Sequence, residues 1–298
     1  MYKYMSAEVA PKFTSTLRVR FTQPSALNDP FELRPLIDFE GTAKELHDVV
    51  DAKIKESFST ADQALAFMEQ LQATDPKFPK NIVPIRLART IIAANPELSQ
   101  KIMSEMERHR SDVMAELMTA KRWEAAWDRI YESFGQSIGI FSLTEDPAHP
   151  VMWSHYAGQH FGIVVEFDET HSWFNEKVTP IDELRHLQRV AYIENPHPRT
   201  LTQLNGIDVL YTKNAHWAYE REWRIIRALK DGVEVSPGII CFDVPPNAIR
   251  SIIFGCRTTS TLEHEIRTSV AANSALSHIC FNRAKLSGAK LEIVDATL

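Results

Sequence analysis

The chain changes its hydrophobic periodicity twice along its length, and these changes limit the folds that it can adopt. Residues 17–22 alternate apolar and polar side chains, as a half-buried strand does. From residue 41 to about residue 134, apolar residues recur at helical spacing instead. Strand-like runs return near residue 137 and continue to residue 294. We therefore predict a single α+β domain over residues 1–298, with a mixed, mostly antiparallel β core and an all-α lobe inserted at about residues 41–134.

The amino-acid composition argues against a protein that binds nucleic acid or anionic lipid over its whole surface. The 298 residues are 44% hydrophobic and 24% charged, which is typical of a globular protein with a sizeable core. The formal net charge is −6, whereas such binding depends on a positive surface. Residues 1–6 lack the apolar core of a signal peptide, and no run approaches the roughly 18 apolar residues of a membrane span. We expect a cytoplasmic protein with no membrane partner.

The three cysteines, Cys241, Cys256 and Cys280, are odd in number and have no Cys-x-x-Cys spacing. They lie in or near apolar, strand-like runs, where a free thiol behaves as a small hydrophobic side chain. We predict reduced core thiols, with neither a disulfide framework nor a zinc site.

The densest group of chemically versatile side chains lies in residues 150–168. Residues 150–158 have a proline at the start and a glycine at the end, which predicts a helix of about two turns. The apolar run Ile163–Phe167 that follows predicts a buried strand. A short helix would thus present polar groups at the edge of a sheet. The side chains that carry this prediction are Trp153, Ser154, His155, Tyr156 and His160.

Two interpretations of this segment stay open. Trp153 and Tyr156 share a helix face, so they can form a core anchor in which His160 bonds to the backbone, or they can line a site. A metal site is not predicted, because His155 and His160 are about 140° apart around a helix and no third ligand has a recognisable spacing.

A second group of charged residues comprises Lys213, Glu220, Glu222 and Arg224. If a strand runs from Tyr219, then Glu220, Glu222 and Arg224 share one face, with the two carboxylates roughly 7 Å apart. Such residues can form an ion-pair ladder on an exposed sheet face. They can also carry chemistry, because one carboxylate can stabilise an oxocarbenium ion on a sugar while the other orients or deprotonates an acceptor.

Four separated motifs together resemble a bacterial family known as domain of unknown function 2971. They are Tyr2-Lys3-Tyr4, Asn28-Asp29-Pro30-Phe31 after the strand of residues 17–21, Met152-Trp153-Ser154-His155-Tyr156-Ala157 with His160-Phe161-Gly162, and Lys213 with the segment from Trp217 to Ile225. That family is in turn similar to abortive-infection proteins of the AbiG type. The resemblance implies a role in phage defence or a toxin-like role.

The order of the parts also resembles ADP-ribosyltransferase-like folds, with an early polar strand, a middle element rich in Ser and aromatic residues, and a late Glu-x-Glu strand. Lys3 stands where those enzymes often have Arg or His. This resemblance implies NAD as a substrate and transfer of ADP-ribose to a nucleic-acid or protein target. It implies catalytic roles for Glu222, Glu220 and His155, and substrate binding by Lys3, Asn28, Trp153, Ser154, Tyr156, His160, Lys213 and Arg224, with Trp153 and Tyr156 stacking on nicotinamide or adenine.

Two further functions stay open. The motifs can stabilise a non-catalytic nucleic-acid-binding or antitoxin-like module in which Lys213, Arg221 and Arg224 contact phosphates. They can also form a metal-independent nuclease in which His155, Lys213 and Glu222 are the acid-base groups. If the separated motifs form one site, they should converge in one cleft.

Overall fold

The computed structural model describes residues 1–57 and 118–296, together with isolated positions between these two ranges. The chain divides into two compact units. The first comprises Met1–Leu36, Tyr131–His197 and Asn205–Leu298, and the second comprises Ile37–Ile130 and Pro198–Leu204. Most of the helical lobe expected at residues 41–134 lies outside the described residues, so that expectation stays a prediction.

The described strands are β1 Tyr2–Met5, β2 Arg18–Arg20, β3 Ile138–Thr144, β4 Ile163–Phe167, β5 Gln188–Arg189, β6 Ala191–Ile193, β7 Thr212–Asn214, β8 Glu222–Ala228, β9 Val233–Ser236, β10 Ile239–Asp243, β11 Ile249–Phe254, β12 Cys280–Ser287 and β13 Lys290–Asp295. The described α-helices are α1 Ala10–Thr16, α2 Phe39–Ser57, α3 Ala120–Ser137, α4 Pro150–Tyr156, α5 Gly206–Leu210 and α6 Ser260–Ala271. None of these helices is long and apolar enough to cross a membrane.

The main sheet of the first unit has the strand order β13-β12-β11-β4-β1-β3-β8-β5. Its neighbouring strands are antiparallel except for the parallel pair β11 and β12. Smaller sheets have the orders β2-β10-β9 and β6-β7. The structure is therefore α+β with a mixed, mostly antiparallel sheet, as the sequence predicts.

Apolar side chains cover both faces of this sheet. On one face Phe141, Phe167 and Ile225 pack in a cluster that includes residues of α1 and α6. On the other face Val164 packs with Trp153 of α4. Because successive residues of a strand point to opposite faces, β4 contributes Val164 to one cluster and its neighbours to the other. Because β4 is buried on both faces, residues 163–167 are apolar at every position except Glu166.

The sheet is least tightly joined between β1 and β3. β1 pairs with β4 along its whole length, but it pairs with β3 only where Tyr2 lies opposite Thr144. Beyond that point the Nζ atom of Lys3 donates a hydrogen bond to the Ser142 carbonyl at 2.8 Å. The Lys3 amine therefore supplies the hydrogen bond that the Ser142 carbonyl would otherwise accept from the backbone N–H of a paired strand.

Helix α4 and strand β4 form where the sequence predicts them. Proline suits the first turn of a helix because its φ angle is fixed and its missing N–H leaves no hydrogen bond unmade. After the helix, Gly158, Gln159 and His160 have φ angles of 56°, 57° and 73°, which reverse the chain. Gly162 then passes so close to β1 that an added Cβ would lie 2.0 Å from the Met5 carbonyl oxygen. This turn places α4 against the sheet beside β1.

The segment before β8 differs from the predicted strand. Ala215–Glu220 is a 3-10 helix whose first turn is capped by the Asn214 side chain, which accepts a hydrogen bond from the backbone N–H of His216 at 2.9 Å. Arg221 then adopts a left-handed conformation with φ of 44°, and β8 begins only at Glu222. The strand thus does not extend back to Tyr219, and Glu220 does not share a strand face with Glu222 and Arg224, because the chain turns between Glu220 and Glu222.

All three cysteines are free thiols. Cys241 is buried in β10, Cys256 is partly buried and Cys280 is exposed in β12. The prediction of core thiols is right for Cys241 and wrong for Cys280, because Cys280 lies at the start of β12 with its side chain exposed to solvent.

Candidate functional site

A pocket of about 230 Å³ lies in the first unit where β1 and β3 separate. Six residues predicted for a site line it: Lys3, Asn28, Tyr156, Lys213, Glu220 and Glu222. Residues that the sequence did not single out also line it, among them Tyr2, Glu32, Ser142 and Thr144. The pocket thus brings together segments that are far apart in the chain.

One chain of hydrogen bonds links the exposed Asn28 to the buried carboxylate of Glu220. The Asn28 Nδ2 donates to the Tyr156 hydroxyl at 2.8 Å, and that hydroxyl donates to the Glu220 Oε1 at 2.5 Å. The Lys213 Nζ donates to the other oxygen of Glu220 at 2.7 Å. Burial raises the pKa of Tyr156, and the Glu220 charge acts in the same direction. The phenol therefore stays protonated and holds the carboxylate in place.

Glu222 and Arg224 form a buried ion pair. The Arg224 Nε and Nη2 donate to the two oxygens of Glu222 at 2.7 and 3.0 Å, and the Lys213 Nζ donates to Oε2 at 3.1 Å. Glu222 is 4% exposed and Arg224 is 0% exposed. The interpretation of these residues as an exposed ion-pair ladder is therefore wrong. Burial raises the pKa of Glu222, and the charge of Glu220 adds to this effect, while Lys213 opposes it.

Glu32 is a third buried carboxylate, and it belongs to the same network. Its Oε1 accepts a hydrogen bond from the Arg224 Nη2, while its Oε2 lies 3.5 Å from the Lys213 Nζ and has no hydrogen-bond partner among the described residues. The sequence analysis did not single out Glu32, which directly follows the Asn28-Asp29-Pro30-Phe31 motif. The Asp29 carboxylate accepts a hydrogen bond from the Phe31 N–H, and this turn points Glu32 inwards.

The two pocket lysines are in different environments. Burial lowers the pKa of Lys213, but the combined attraction of Glu222 and Glu220 outweighs it and raises the pKa. Lys3 bonds to a neutral carbonyl and lies 5.1 Å from the centre of the Phe141 ring. Burial lowers the pKa of Lys3 to about 8, and Lys213 acts in the same direction while Glu222 and Glu220 oppose the shift. Lys3 is thus a group that exchanges its proton near neutral pH.

With all three carboxylates ionised, the charges of these groups balance only when Lys3 is protonated. Glu32, Glu220 and Glu222 supply three negative charges when they are ionised, and Lys213 and Arg224 supply two positive ones. A protonated Lys3 makes the set neutral, and a neutral Lys3 leaves one excess negative charge. An excess charge in a buried site is costly, so it favours the binding of a cation or the uptake of a proton.

Trp153 does not line the pocket. Its side chain is 0% exposed, its Nε1 donates to the Pro147 carbonyl at 2.9 Å, and its ring meets Tyr4 edge-on with ring centres 5.3 Å apart. The expectation that Trp153 stacks on a nicotinamide or adenine ring is therefore wrong, because no ligand can reach it. The alternative of a core anchor is right for Trp153. The bond from the His160 side chain to the backbone that it expects is not formed, because the His160 Nε2 lies 3.3 Å from the Ser154 Oγ and the Nδ1 has no hydrogen-bond partner among the described residues. The His160 ring stacks parallel to Trp153, with ring centres 6.1 Å apart.

The other predicted residues also lie outside the lining of the pocket. His155 is exposed and meets the Tyr156 ring edge-on, with ring centres 6.0 Å apart. Ser154 is exposed and donates to the Pro150 carbonyl within its own helix, while its Oγ lies 3.3 Å from the His160 Nε2. Arg224 is fully buried behind Glu222. The structure thus brings Tyr156 of α4 into the pocket and leaves its neighbours in the chain outside.

The geometry removes most of the residues on which the two alternative functions depend. Of the three residues expected to contact nucleic-acid phosphates, Lys213 and Arg224 are buried in ion pairs with carboxylates and cannot reach them, whereas Arg221 is exposed. His155 does not line the pocket that contains Lys213 and Glu222, so these three residues do not form one acid-base site. Among the described residues, no group of three His, Cys, Asp or Glu side chains is placed to hold a metal ion.

The fold and the pocket define an α+β protein with a network of buried, ion-paired carboxylates where its central sheet separates. Residues 152–225, about a quarter of the chain, match the model of a family described as "Protein of unknown function (DUF2971)", so this segment is similar to that family. The match contains Tyr156, Lys213, Glu220 and Glu222 and confirms the family resemblance that the sequence motifs predict. No curated protein and no solved structure matches the chain.

Proposed function

We propose that this pocket is the active site of an enzyme that cleaves the N-glycosidic bond of NAD and transfers ADP-ribose to a macromolecular acceptor. One observation carries the proposal: Lys3, Ser142 and Glu222 belong to three adjacent strands, β1, β3 and β8, and line one pocket. Lys3 on an early strand and Glu222 on a late strand keep the chain order that the resemblance to ADP-ribosyltransferase-like folds implies, and Ser142 of β3 stands between them in place of the Ser-containing segment of α4.

The carboxylates suit the charge that develops in this reaction. In NAD the nicotinamide ring carries a positive charge, and this charge passes to the ribose as an oxocarbenium ion while the bond to nicotinamide breaks. Glu222 is held by Arg224 and Lys213, so its negative charge is fixed in place before the reaction. A preorganised charge costs no reorganisation when the oxocarbenium ion forms.

Glu220 has a different role in this proposal. Its Oε1 accepts a hydrogen bond from Tyr156, which in turn accepts one from the exposed Asn28. Glu220 thus connects the interior of the pocket to the solvent, where an acceptor would arrive. The acceptor forms the new bond to C1 of the ribose, nicotinamide leaves with the electron pair of the broken bond, and Glu220 takes the proton of the acceptor.

The volume of the pocket limits which part of NAD it can enclose. Pockets for complete drug-sized ligands usually measure about 300–1,000 Å³. At about 230 Å³ this pocket has room for the nicotinamide and part of its ribose, with the phosphates and adenosine outside. We place this activity in the bacterial cytoplasm, as a toxin-like effector of phage defence that modifies a nucleic acid or a protein.

The test measures release of nicotinamide from NAD and transfer of label from NAD to a lysate. We expect Glu222→Gln to lower both rates by about 10² or more, because the amide cannot stabilise an oxocarbenium ion. Tyr156→Phe tests the same site without removing a charge, and we expect it to slow transfer more than hydrolysis. Ser154→Ala is the matched control, since this exposed residue of α4 does not line the pocket. A wild-type protein that neither binds NAD nor releases nicotinamide contradicts the proposal.

A further inference from the structure

We propose that Lys3 is a reactive amine that forms an imine with an aldehyde or ketone group of a ligand bound in the pocket. This inference does not depend on NAD as the substrate. It assigns to the pocket a covalent reaction that carboxylates alone do not perform. It also assigns a class of ligand, namely carbonyl compounds small enough to enter a pocket of about 230 Å³.

The position of Lys3 in the sheet is the first support for the proposal. Lys3 lies on β1 where β1 and β3 no longer pair, and its side chain lines the pocket formed there. The hydrogen bond to the Ser142 carbonyl holds the Nζ atom at the pocket wall at 2.8 Å. A nucleophile must be held within reach of its electrophile, and a rigid strand achieves this better than a mobile surface chain.

The contrast with Lys213 is the second support. The Lys213 Nζ lies 2.7, 3.1 and 3.5 Å from the carboxylates of Glu220, Glu222 and Glu32, which keep it charged. In the described part of the chain, Lys3 has no such ion pair, and its hydrogen-bond acceptor is a neutral carbonyl. An ammonium group has no lone pair, so only the lysine that can lose its proton is a nucleophile.

The charged groups around Lys3 determine how strongly its amine holds a proton. Glu220 and Glu222 attract the proton, while burial and the positive charge of Lys213 repel it, and the net result is a pKa of about 8. At pH 7.5 about a quarter of such an amine is neutral, compared with about one in a thousand for an ordinary lysine. Tyr2, Tyr4 and Tyr156 also line the pocket and stay uncharged in this range, because burial raises the pKa of each.

The reaction balances without any further reagent. The lone pair of the Lys3 Nζ attacks the carbonyl carbon, and the carbonyl oxygen takes up a proton to give a carbinolamine. The oxygen then leaves as water after a second protonation, and the nitrogen forms a double bond to carbon. The two protons lost by the nitrogen offset those gained by the oxygen, so nothing is oxidised or reduced.

The experiment traps the imine with a small aldehyde. The protein of residues 1–298 is incubated at pH 7.5 with glyceraldehyde and cyanoborohydride, which reduces an imine to a stable amine. Labelled positions are then quantified over time by mass spectrometry. Fragment spectra must separate the Met1 α-amine from the Lys3 side chain, because both lie within three residues of the start of the chain.

We expect Lys3 to be labelled at least about tenfold faster than the exposed residues Lys12 and Lys230, because more of its amine is neutral at this pH. Lys213 should remain unlabelled in the folded protein. Labelling of Lys3 at or below the rate of Lys12 overturns the proposal. Equal labelling of Lys3 and Lys213 also overturns it, since their different surroundings would then have no effect.

The variant Lys3→Arg keeps a positive charge but removes the primary amine. We expect the label at position 3 to disappear while Lys12 and Lys230 react as before, and a thermal melt shows whether the variant is folded. The labelling needs no NAD, so its outcome is separate from that of the NAD assay. A protein that releases no nicotinamide but labels at Lys3 would retain this inference and lose the proposed transfer reaction.

Discussion

At the scale of single residues, the pocket depends on buried charges that satisfy one another. Arg224 donates to Glu222, Glu32 and the Leu210 carbonyl, so its guanidinium is engaged on several sides. Lys213 lies between the three carboxylates. Taking such charges out of water costs free energy that only their mutual contacts repay. Removing one partner therefore has a larger effect than removing the same group from the surface.

The substitution Glu222→Gln tests this dependence through stability. We expect it to lower the free energy of unfolding by about 3–5 kcal/mol, because Arg224 and Lys213 would lose a buried counter-charge. An exposed pair would predict a loss of less than about 1 kcal/mol. Asp231→Asn is the control, since Asp231 pairs with Arg185 at the surface. Denaturant unfolding of both variants distinguishes the loss expected for a buried pair from that expected for an exposed pair. Equal small losses for the two variants would mean that the buried network contributes little to stability.

Trp153 and His155 are neighbours in the chain with opposite surroundings. Trp153→Ala should lower the free energy of unfolding by about 3–5 kcal/mol, since it deletes a fully buried aromatic side chain. His155→Ala should change it by less than about 1 kcal/mol, because this residue is exposed. Chemical denaturation measures both. A loss for His155→Ala as large as that for Trp153→Ala would contradict the placement of these two residues.

At the scale of elements, local signals in the sequence account for α4, β4 and β8 but not for the turn that precedes β8. Pro150 and Gly158 mark the two ends of the helical segment, and the apolar run after Gly162 marks the strand. No comparable signal marks Arg221, which adopts a left-handed conformation although its side chain has no preference for it. Tertiary contacts of the neighbouring Glu220 and Glu222 fix this turn, so no local pattern could predict it.

Gly162 tests how closely the turn after α4 must approach β1. Gly162→Ala should lower the free energy of unfolding by about 1–3 kcal/mol, because the new Cβ would lie 2.0 Å from the Met5 carbonyl oxygen, and backbone atoms cannot easily move away. Gly135→Ala is the matched control, because nothing lies within 4 Å of the added Cβ and the residue is in α3. We expect it to be neutral or to stabilise the protein by up to about 1 kcal/mol. Thermal unfolding that ranks the two variants in the opposite order would contradict the close approach.

At the scale of the whole molecule, sequence reasoning reached the fold class and several pocket residues but not the network that joins them. The alternation of periodicity predicts an α+β protein, and the concentration of polar motifs draws attention to Tyr156, Lys213 and Glu220. The strand order decides which motifs meet, since it places β1 between β4 and β3 and β8 next to β3. A sheet order built from long-range pairings leaves no trace in local patterns, so the meeting of these motifs in one pocket could not be derived from them.

The pocket network makes the free energy of unfolding of the whole protein depend on pH. The pKa of Lys3 is about 8 in the folded protein, below the value of about 10.4 for an unfolded chain. Between these two values the unfolded state binds more protons, so the contribution of Lys3 to the free energy of unfolding rises with pH. Below pH 8 both states hold the proton, and the full penalty of burying the charge remains.

We therefore expect the wild-type protein to gain stability relative to Lys3→Met as the pH rises from about 8 to about 10.4. A single proton limits this gain to about 1.4 kcal/mol per pH unit. The comparison with Lys3→Met is necessary because tyrosine and cysteine side chains also titrate in this range, and their effects are shared by both proteins. Denaturant unfolding at a series of pH values measures the difference. A constant difference would mean that Lys3 keeps its ordinary pKa in the folded protein, and a difference that moves the other way would mean that the carboxylates of Glu220 and Glu222 outweigh the burial of the amine.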